Sequence, residues 1–404
     1  MAAGVTRKIS AASARAHTRK AKQKTSFPLS SGMFGKILLV VLTGLLAWAY
    51  QATRPPPPKT CGSPDGPSVT APRIKLSDGR HLAYKEIGVP KENAKYKIVY
   101  IHGYDCCRHD VPITGTLSQD VIESLGVYIV SFDRPGYGES DPNPKRTVKS
   151  LAFDVQELAD QLGLGSKFYV MGYSMGGQAV WTCLRYIPYR LAGAALIAPV
   201  VNYWWPRFPA NLSQEAFNLR LPQDQWTLRV AHYLPWLTYW WNSQKFFPAC
   251  SAAGRNPAVF SSQDLELISK HRSSQESQDY RSLHFLCAYQ TTLLNSTVSV
   301  THCPVTLQSQ IRQQGEYESL HRDLMISFGA WEFDPMDIEN PFPNNEGSVH
   351  LWQGDEDKLS PVILQRYIAQ QLPWIKYHEI PGSGHLVPML DGMGVKIIKA
   401  LLTG

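Results

Sequence analysis

The segment Gly172-Tyr173-Ser174-Met175-Gly176 constrains this chain most, because of what flanks it. An apolar, β-rich run, Lys167 to Met171, leads into it, and a helix-like run, Gln178 to Tyr186, leads out. A strand that passes into a helix through a turn this short must hold the central serine in a crowded backbone conformation. A Cβ two positions before or after would collide with the turn, and glycine removes it at both places. Such a turn sits at the end of a sheet, exposes the serine hydroxyl and aims the first helix amides at it.

The rest of the chain is read around that turn. Arg73 to Gly88 predicts two strands about Ser77-Asp78-Gly79, and Tyr96–Ile101 a strand ending in His102-Gly103. Leu117 to Leu125 predicts a short helix, Val127 to Asp133 a strand, and a longer helix from Thr147 carries Leu151, Val155, Leu158 and Leu162 on one face. The apolar run Leu191 to Val201 closes a further β unit. Strands alternating with helices, each strand a continuous apolar run, imply an α/β fold: a mostly parallel central sheet covered on both faces.

From Asn202 to about Asn345 the alternation stops. Helix-like stretches fall near 213–220, 224–234, 262–270, 279–294 and 312–329. Aromatic residues concentrate there (Tyr203, Trp204, Trp205, Trp226, Trp236, Trp240, Trp241, Phe246, Phe247). The β pattern resumes at Ser348 to Gln353, followed by a helix over 361–371, a strand over 374–380 and a helix over 391–402. An insertion of this size between two strands of one sheet is a helical cap rather than a linker. The expected division is a basic disordered arm over 1–32, a membrane anchor over 33–53, a Pro-rich tether over 54–71, the first part of the α/β core over 72–201, a helical cap over 202–345 and the second part of the core over 346–404.

The formal charge of +7 misleads, since residues 1–64 hold ten Lys or Arg and no Asp or Glu. The remainder carries 30 basic against 33 acidic residues, which gives no reason to expect a nucleic-acid partner. Ile37 to Tyr50 is uncharged and apolar, and Met33 to Ala52 spans a bilayer if Lys36 snorkels. Three readings compete: a cleaved secretory signal, a transit peptide, and an uncleaved signal anchor. The last is favoured, with the arm cytoplasmic and the chain beyond Thr53 in the lumen of an endomembrane compartment; a plastid is the alternative. Arg54-Pro-Pro-Pro-Pro58 then forms a stiff spacer, ending in a Gly/Pro/Ser-rich linker to about Pro67. The sequons Asn211-Leu-Ser213 and Asn295-Ser-Thr297 suit that topology.

Seven cysteines (61, 106, 107, 183, 250, 287, 303) include no C-x-x-C pair, so neither a zinc site nor a dense disulfide framework is indicated, and no metal or cofactor is expected. Buried free thiols are expected, with one disulfide among Cys250, Cys287 and Cys303 as the alternative.

A serine hydroxyl needs a base, and the base an orienting acid. Among twelve histidines, His385 lies in a Gly-rich turn, Gly382-Ser383-Gly384-His385, directly after a late strand. Gly354-Asp355-Glu356-Asp357 follows the preceding strand and offers the acid as Asp355 or Asp357. Ser174, an acid and His385 in that order, each just past a parallel strand, point to a catalytic triad.

At these residues the chain resembles the serine α/β-hydrolase superfamily, from about residue 72 onward. The likeness rests on His102-Gly103, the loop Asp133-Arg-Pro-Gly-Tyr-Gly-Glu-Ser140, the turn Gly172 to Gly176, the spacing Gly354 to Asp357, and Gly384-His385. Anchor, tether, loop and aromatic cap together resemble membrane-anchored hydrolases of plants. The resemblance implies Ser174, Asp357 and His385 as triad, with Asp357 chosen over Asp355 by the family spacing. It also implies the backbone N–H groups of Tyr104 and Met175 as oxyanion donors, and a structural role for the Asp133 to Ser140 loop. A serine rather than an aspartate at position 174 argues against epoxide opening and dehalogenation. Arg108, His109 and Asp110 after the His-Gly pair are expected in a solvated loop rather than against a substrate. The expected activity is hydrolysis of a small-molecule carboxylic ester or thioester, apolar or aromatic to suit the cap. The alternative is a hormone-like sensor that signals through its cap with slow turnover.

Overall fold

The computed structural model describes residues 33–273 and 309–404. The chain divides into two compact units, Met1–Ala52 and Thr53–Gly404. In the first, helix α1 (Met33–Thr53) contains a 20-residue apolar stretch, Phe34–Thr53, whose most apolar 18 residues have mean hydropathy 1.5 and include no buried residue. Its length and composition suit a membrane span or a signal sequence.

The second unit is built on an eight-stranded sheet. Its strands are β1 (Arg73–Lys75), β2 (His81–Gly88), β3 (Tyr96–Ile101), β4 (Val127–Phe132), β5 (Phe168–Tyr173), β6 (Leu191–Ile197), β7 (Val349–Gly354) and β8 (Ile375–Ile380). The order across the sheet is β1-β2-β4-β3-β5-β6-β7-β8. Only the hairpin at one edge runs antiparallel: β1 pairs with β2 and β2 with β4 in that sense, and every pairing from β4 to β8 is parallel.

Alternation along each strand divides the core in two. Val99, Ile101, Val130, Phe132, Val170, Leu196 and Leu351 share one core cluster with helix α3 (Ser150–Gln161), helix α4 (Met175–Tyr186) and the later helix Val362–Gln371. Ile98, Tyr100, Ile129, Met171, Ala195, Ile197 and Trp352 share the other with helix α2 (Gln119–Leu125) and the C-terminal helix Met393–Thr403. The inner strands β4, β5 and β6 therefore read as nearly unbroken apolar runs, because both of their faces are buried, whereas β1, β2 and β8 toward the sheet edges are polar-rich and partly exposed. Helix α2 begins at Ser118, whose side chain caps the Val121 N–H, and ends at Gly126 with φ 64°, where left-handed backbone is needed.

Between β6 and β7 lies the inserted cap. It holds α5 (Ala210–Asn218), α6 (Pro222–Tyr233), α7 (Thr238–Ser243), α8 (Ser262–Ser273) and α9 (Arg322–Phe328), with α10 (Val362–Gln371) and α11 (Met393–Thr403) returning to the core. The helix expected over 312–329 is broken. Gly315 turns at φ 104°, and a π-helical turn, Tyr317–His321, leads into α9. The expected helix over 279–294, the sequon at Asn295, Cys287, Cys303 and the arm over 1–32 fall outside the described residues. Asn211 is exposed at the start of α5.

Two expectations are corrected. The stretch read as a linker to Pro67 is tied down: Lys59 N–H donates to the Gln314 carbonyl at 3.0 Å, and Cys61 is buried with its N–H on Gln314 Oε1 at 3.1 Å. Thr70 and Ala71 then donate their N–H groups to Glu139. The stretch Arg108 to Asp110 is not a solvated loop either. Arg108 is buried between Asp133 and Glu139, and Asp110 is buried with its carboxylate accepting the Cys107 N–H. Cys61, Cys106, Cys107, Cys183 and Cys250 are all buried free thiols.

Candidate active site

The turn from β5 into α4 shows the crowding its glycines suggested. Ser174 sits at φ 55°, ψ −121°, a conformation an L-residue holds only when its surroundings force it. A Cβ on Gly172 would lie 2.2 Å from the Gly176 carbonyl oxygen, and one on Gly176 would lie 2.1 Å from that of Ile101. The strained turn is held by Ser174 N–H donating to Ile197 O at 2.9 Å and Val200 N–H donating to Ser174 O at 3.0 Å.

From segments far apart in the chain, the structure brings three predicted side chains into one line. Ser174 Oγ lies 2.9 Å from His385 Nε2, and His385 Nδ1 lies 2.8 Å from Asp357 Oδ2. Nδ1 therefore carries the hydrogen and Nε2 faces the hydroxyl as an acceptor, an assignment made from the partners. Asp357 is fully engaged: Oδ1 accepts the N–H groups of Leu359 and Ser360, and Oδ2 also accepts from Gln353 Nε2 at 3.0 Å. Asp355 stands elsewhere, accepting the Ser383 N–H at 3.2 Å and so bracing the turn that leads to His385.

Tyr104 follows His102-Gly103 beyond β3, and Met175 opens α4. Among the described residues no acceptor takes the backbone N–H of either. Both residues line the cavity that contains Ser174 and His385. A Cβ on Gly103 would meet the Ser174 Cβ at 3.1 Å, so a glycine here lets the two segments approach.

The cavity walls are mainly apolar, with Val200, Tyr203, Leu228, Leu324, Phe328 and Leu359 around the serine; Arg220 and Asp224 are the charged members. Of the nine aromatic residues picked out in the cap sequence, only Tyr203 reaches this cavity. Trp205 is core, and Trp226, Trp236, Phe246 and Phe247 are exposed. Burial raises the thiols that line the site: Cys106 lies well above its ordinary value and Cys250 is pushed up to about 11. They are poor nucleophiles at neutral pH. Among the described residues no cluster of three His, Cys, Asp or Glu side chains could hold a metal ion.

A buried carboxylate beside the candidate site escaped sequence reasoning. Asp264, fully buried on α8, accepts the His385 N–H at 3.0 Å and the Leu386 N–H at 2.8 Å. Burial raises its carboxyl above the usual range, against the hydrogen bonds that lower it. Gly384 makes room for it, since a Cβ there would lie 1.9 Å from Asp264 Oδ2. The signal available in sequence was Ser261-Ser-Gln-Asp264, a helix-start pattern in which Ser261 Oγ accepts the Asp264 N–H at 3.1 Å. Nothing in that pattern points to a histidine more than a hundred residues away.

The Asp133 to Ser140 loop does not enter the cavity. Asp133 is buried on the N–H groups of Arg108 and Glu139, and Arg134 and Tyr137 reach the cap at Asp323.

Residues 98–395 match the model of the Alpha/beta hydrolase family. Among solved structures, a thermophilic esterase from Thermogutta terrifontis aligns with TM-score 0.50 and 18% identity, covering 82% of this chain and 98% of that one. An enol-lactonase from Burkholderia xenovorans aligns with TM-score 0.50 and 15% identity, covering 82% of this chain and 100% of that one. At such identities the likeness is one of fold. No curated protein matches the chain by sequence.

Proposed function

The chain belongs to the alpha/beta hydrolase family, and from that premise we propose that it is a serine hydrolase cleaving a carboxylic ester or thioester through an acyl-enzyme on Ser174. The observation that carries this reading is the unbroken line from Ser174 Oγ through His385 to Asp357, with contacts of 2.9 and 2.8 Å. His385 Nε2 takes the hydroxyl proton as Oγ attacks the carbonyl carbon, and Asp357 stabilises the imidazolium. The tetrahedral oxyanion meets the N–H groups of Tyr104 and Met175. His385 then gives its proton to the departing alkoxide or thiolate. A water activated by the same imidazole releases the acid.

The walls formed by Leu228, Leu324 and Phe328 support an apolar acyl chain or aromatic ester as substrate. Helix α1 supports a single membrane pass. The charge imbalance across it favours a cytoplasmic arm and a lumenal hydrolase unit.

A fluorophosphonate probe applied to the full chain, alongside a series of short and medium acyl esters, tests the proposal. The expected result is covalent labelling with many turnovers per protein, both abolished by Ser174→Ala. Undiminished hydrolysis in that variant would sink the assignment, and release of a single acid equivalent per chain would favour the sensor reading instead.

A further inference from the structure

Resting on the serine-hydrolase reading, we infer that Arg134 and the cap residue Asp323 position the oxyanion hole, so that the Tyr104 N–H is aimed only while the cap is seated.

Gly103 O and Tyr104 N–H belong to the same trans peptide, so they point in opposite directions and fixing one fixes the other. Two donors hold that oxygen: Arg134 Nη2 at 2.8 Å and the His102 ring at Nδ1, also at 2.8 Å. The preceding carbonyl, His102 O, accepts from Arg134 Nε at 3.0 Å. His102 itself is oriented by the Arg134 backbone N–H, which donates to Nε2 at 3.0 Å. Burial, with the Arg134 charge, keeps the His102 imidazole neutral, as donation at Nδ1 and acceptance at Nε2 require.

Arg134 is in turn oriented from the cap. Its Nη1 and Nη2 donate to the two carboxylate oxygens of Asp323 at 2.8 and 2.6 Å, a bidentate geometry that leaves the guanidinium plane little freedom. Both side chains are almost completely buried. Asp323 also accepts from Tyr137 Oη at 2.6 Å and from Arg146. Burial alone would raise the Asp323 carboxyl, but Arg134 and Arg146 hold it down at about 2, so the pair stays ionised at any working pH. Asp323 lies on α9, where Leu324 and Phe328 line the substrate cavity. One helix thus touches the substrate's apolar part and, through Arg134, the peptide that stabilises its oxyanion. The guanidinium touches no reacting atom; it acts through the Gly103–Tyr104 peptide.

The test compares kcat and KM for a short oxygen ester and the matching thionoester in Asp323→Asn and Arg134→Lys, with thermal unfolding as a control. Sulfur accepts hydrogen bonds poorly, so an aimed oxyanion hole favours the oxygen ester. Removing an oxyanion donor outright costs about 10²–10³ in kcat, so misaiming one predicts a fall of about 10–100-fold with KM unchanged. The ester-to-thionoester ratio falls with it, a change that loosened packing alone would not produce. Arg134→Lys keeps a cation for Asp323 but lacks the fork that reaches Gly103 O, so it serves even if Asp323→Asn fails to fold. A rate loss at constant ratio, or no loss in either variant, overturns the inference. A wild-type chain that neither labels nor turns over sinks the hydrolase reading and this one with it. A working wild type beside variants with an unaltered ratio sinks this one alone.

Discussion

Asp264 grips the main chain of His385: its Oδ2 accepts the His385 N–H at 3.0 Å, while the imidazole of the same residue faces Ser174. The histidine is thus positioned from the cap at its backbone and from the core at its ring. Asp264→Ala leaves the buried N–H groups of Ser261, His385 and Leu386 without their acceptor, each at about 1–3 kcal/mol. The expected outcome is a lower melting temperature and a fall in kcat of about 10–100-fold, since small misplacements of a base are costly. Steady-state kinetics on folded protein check it, and an unchanged kcat would show that the Asp357 contact alone orients the ring.

The two candidate acids separate cleanly. Asp357→Asn removes the acceptor that fixes the His385 tautomer and lowers kcat by about 10⁴-fold, whereas Asp355→Asn weakens only a 3.2 Å brace on Ser383 and costs about tenfold or less. Parallel kinetics on both variants decide between them; a reversed ranking would refute the triad.

Two glycines predict losses of very different size for the same substitution. At Gly176 a Cβ would lie 2.1 Å from a backbone oxygen that cannot move, so Gly176→Ala should yield little folded protein. At Gly163 there is open space, and the φ of 65° costs an alanine about 1–2 kcal/mol. Soluble yield and thermal denaturation distinguish the cases.

Buried histidines set an acid limit on stability. Burial lowers His321 and His350 to about 4, below the usual value near 6.5 that the unfolded chain regains. Between those values the unfolded state binds protons that the folded state refuses, so stability is present above pH ~6.5 and is lost as pH falls toward ~4. Melting temperature followed across that window should drop, and His321→Gln should shallow the slope. A flat profile would mean that both imidazoles are free to protonate in the folded chain.

What could be read in the sequence, and what could not, follows from where the constraints lie. Strands such as Val127–Phe132 are buried on both faces and are therefore apolar but for Ser131, which makes them legible without a partner. Ser174, Asp357 and His385 stand beside glycines that the backbone itself requires. Asp264 and Asp323 were invisible because they meet, respectively, the His385 and Leu386 N–H groups and the side chains of Arg134, Arg146 and Tyr137 on distant segments, and no local spacing encodes those distances. The aromatic cap misled for a related reason: composition showed many rings, but not that Trp236 and Phe246 face outward while Leu228 and Leu324 face the serine.

Strands β6 and β7 are neighbours, yet the chain leaves the sheet at Ile197 and returns only at Val349. A ribosome adding about 5–20 residues each second needs on the order of ten seconds to make that excursion. Throughout that time β6 presents an unpaired edge, the kind of surface on which nascent chains associate wrongly. Ser174 has already been made by then, but Asp357 and His385, its proposed acid and base, have not been translated. On the proposed mechanism the half-made protein has no activity in the interval when its sheet edge is most exposed, which makes the edge of β6 the place where a chaperone would be of most use.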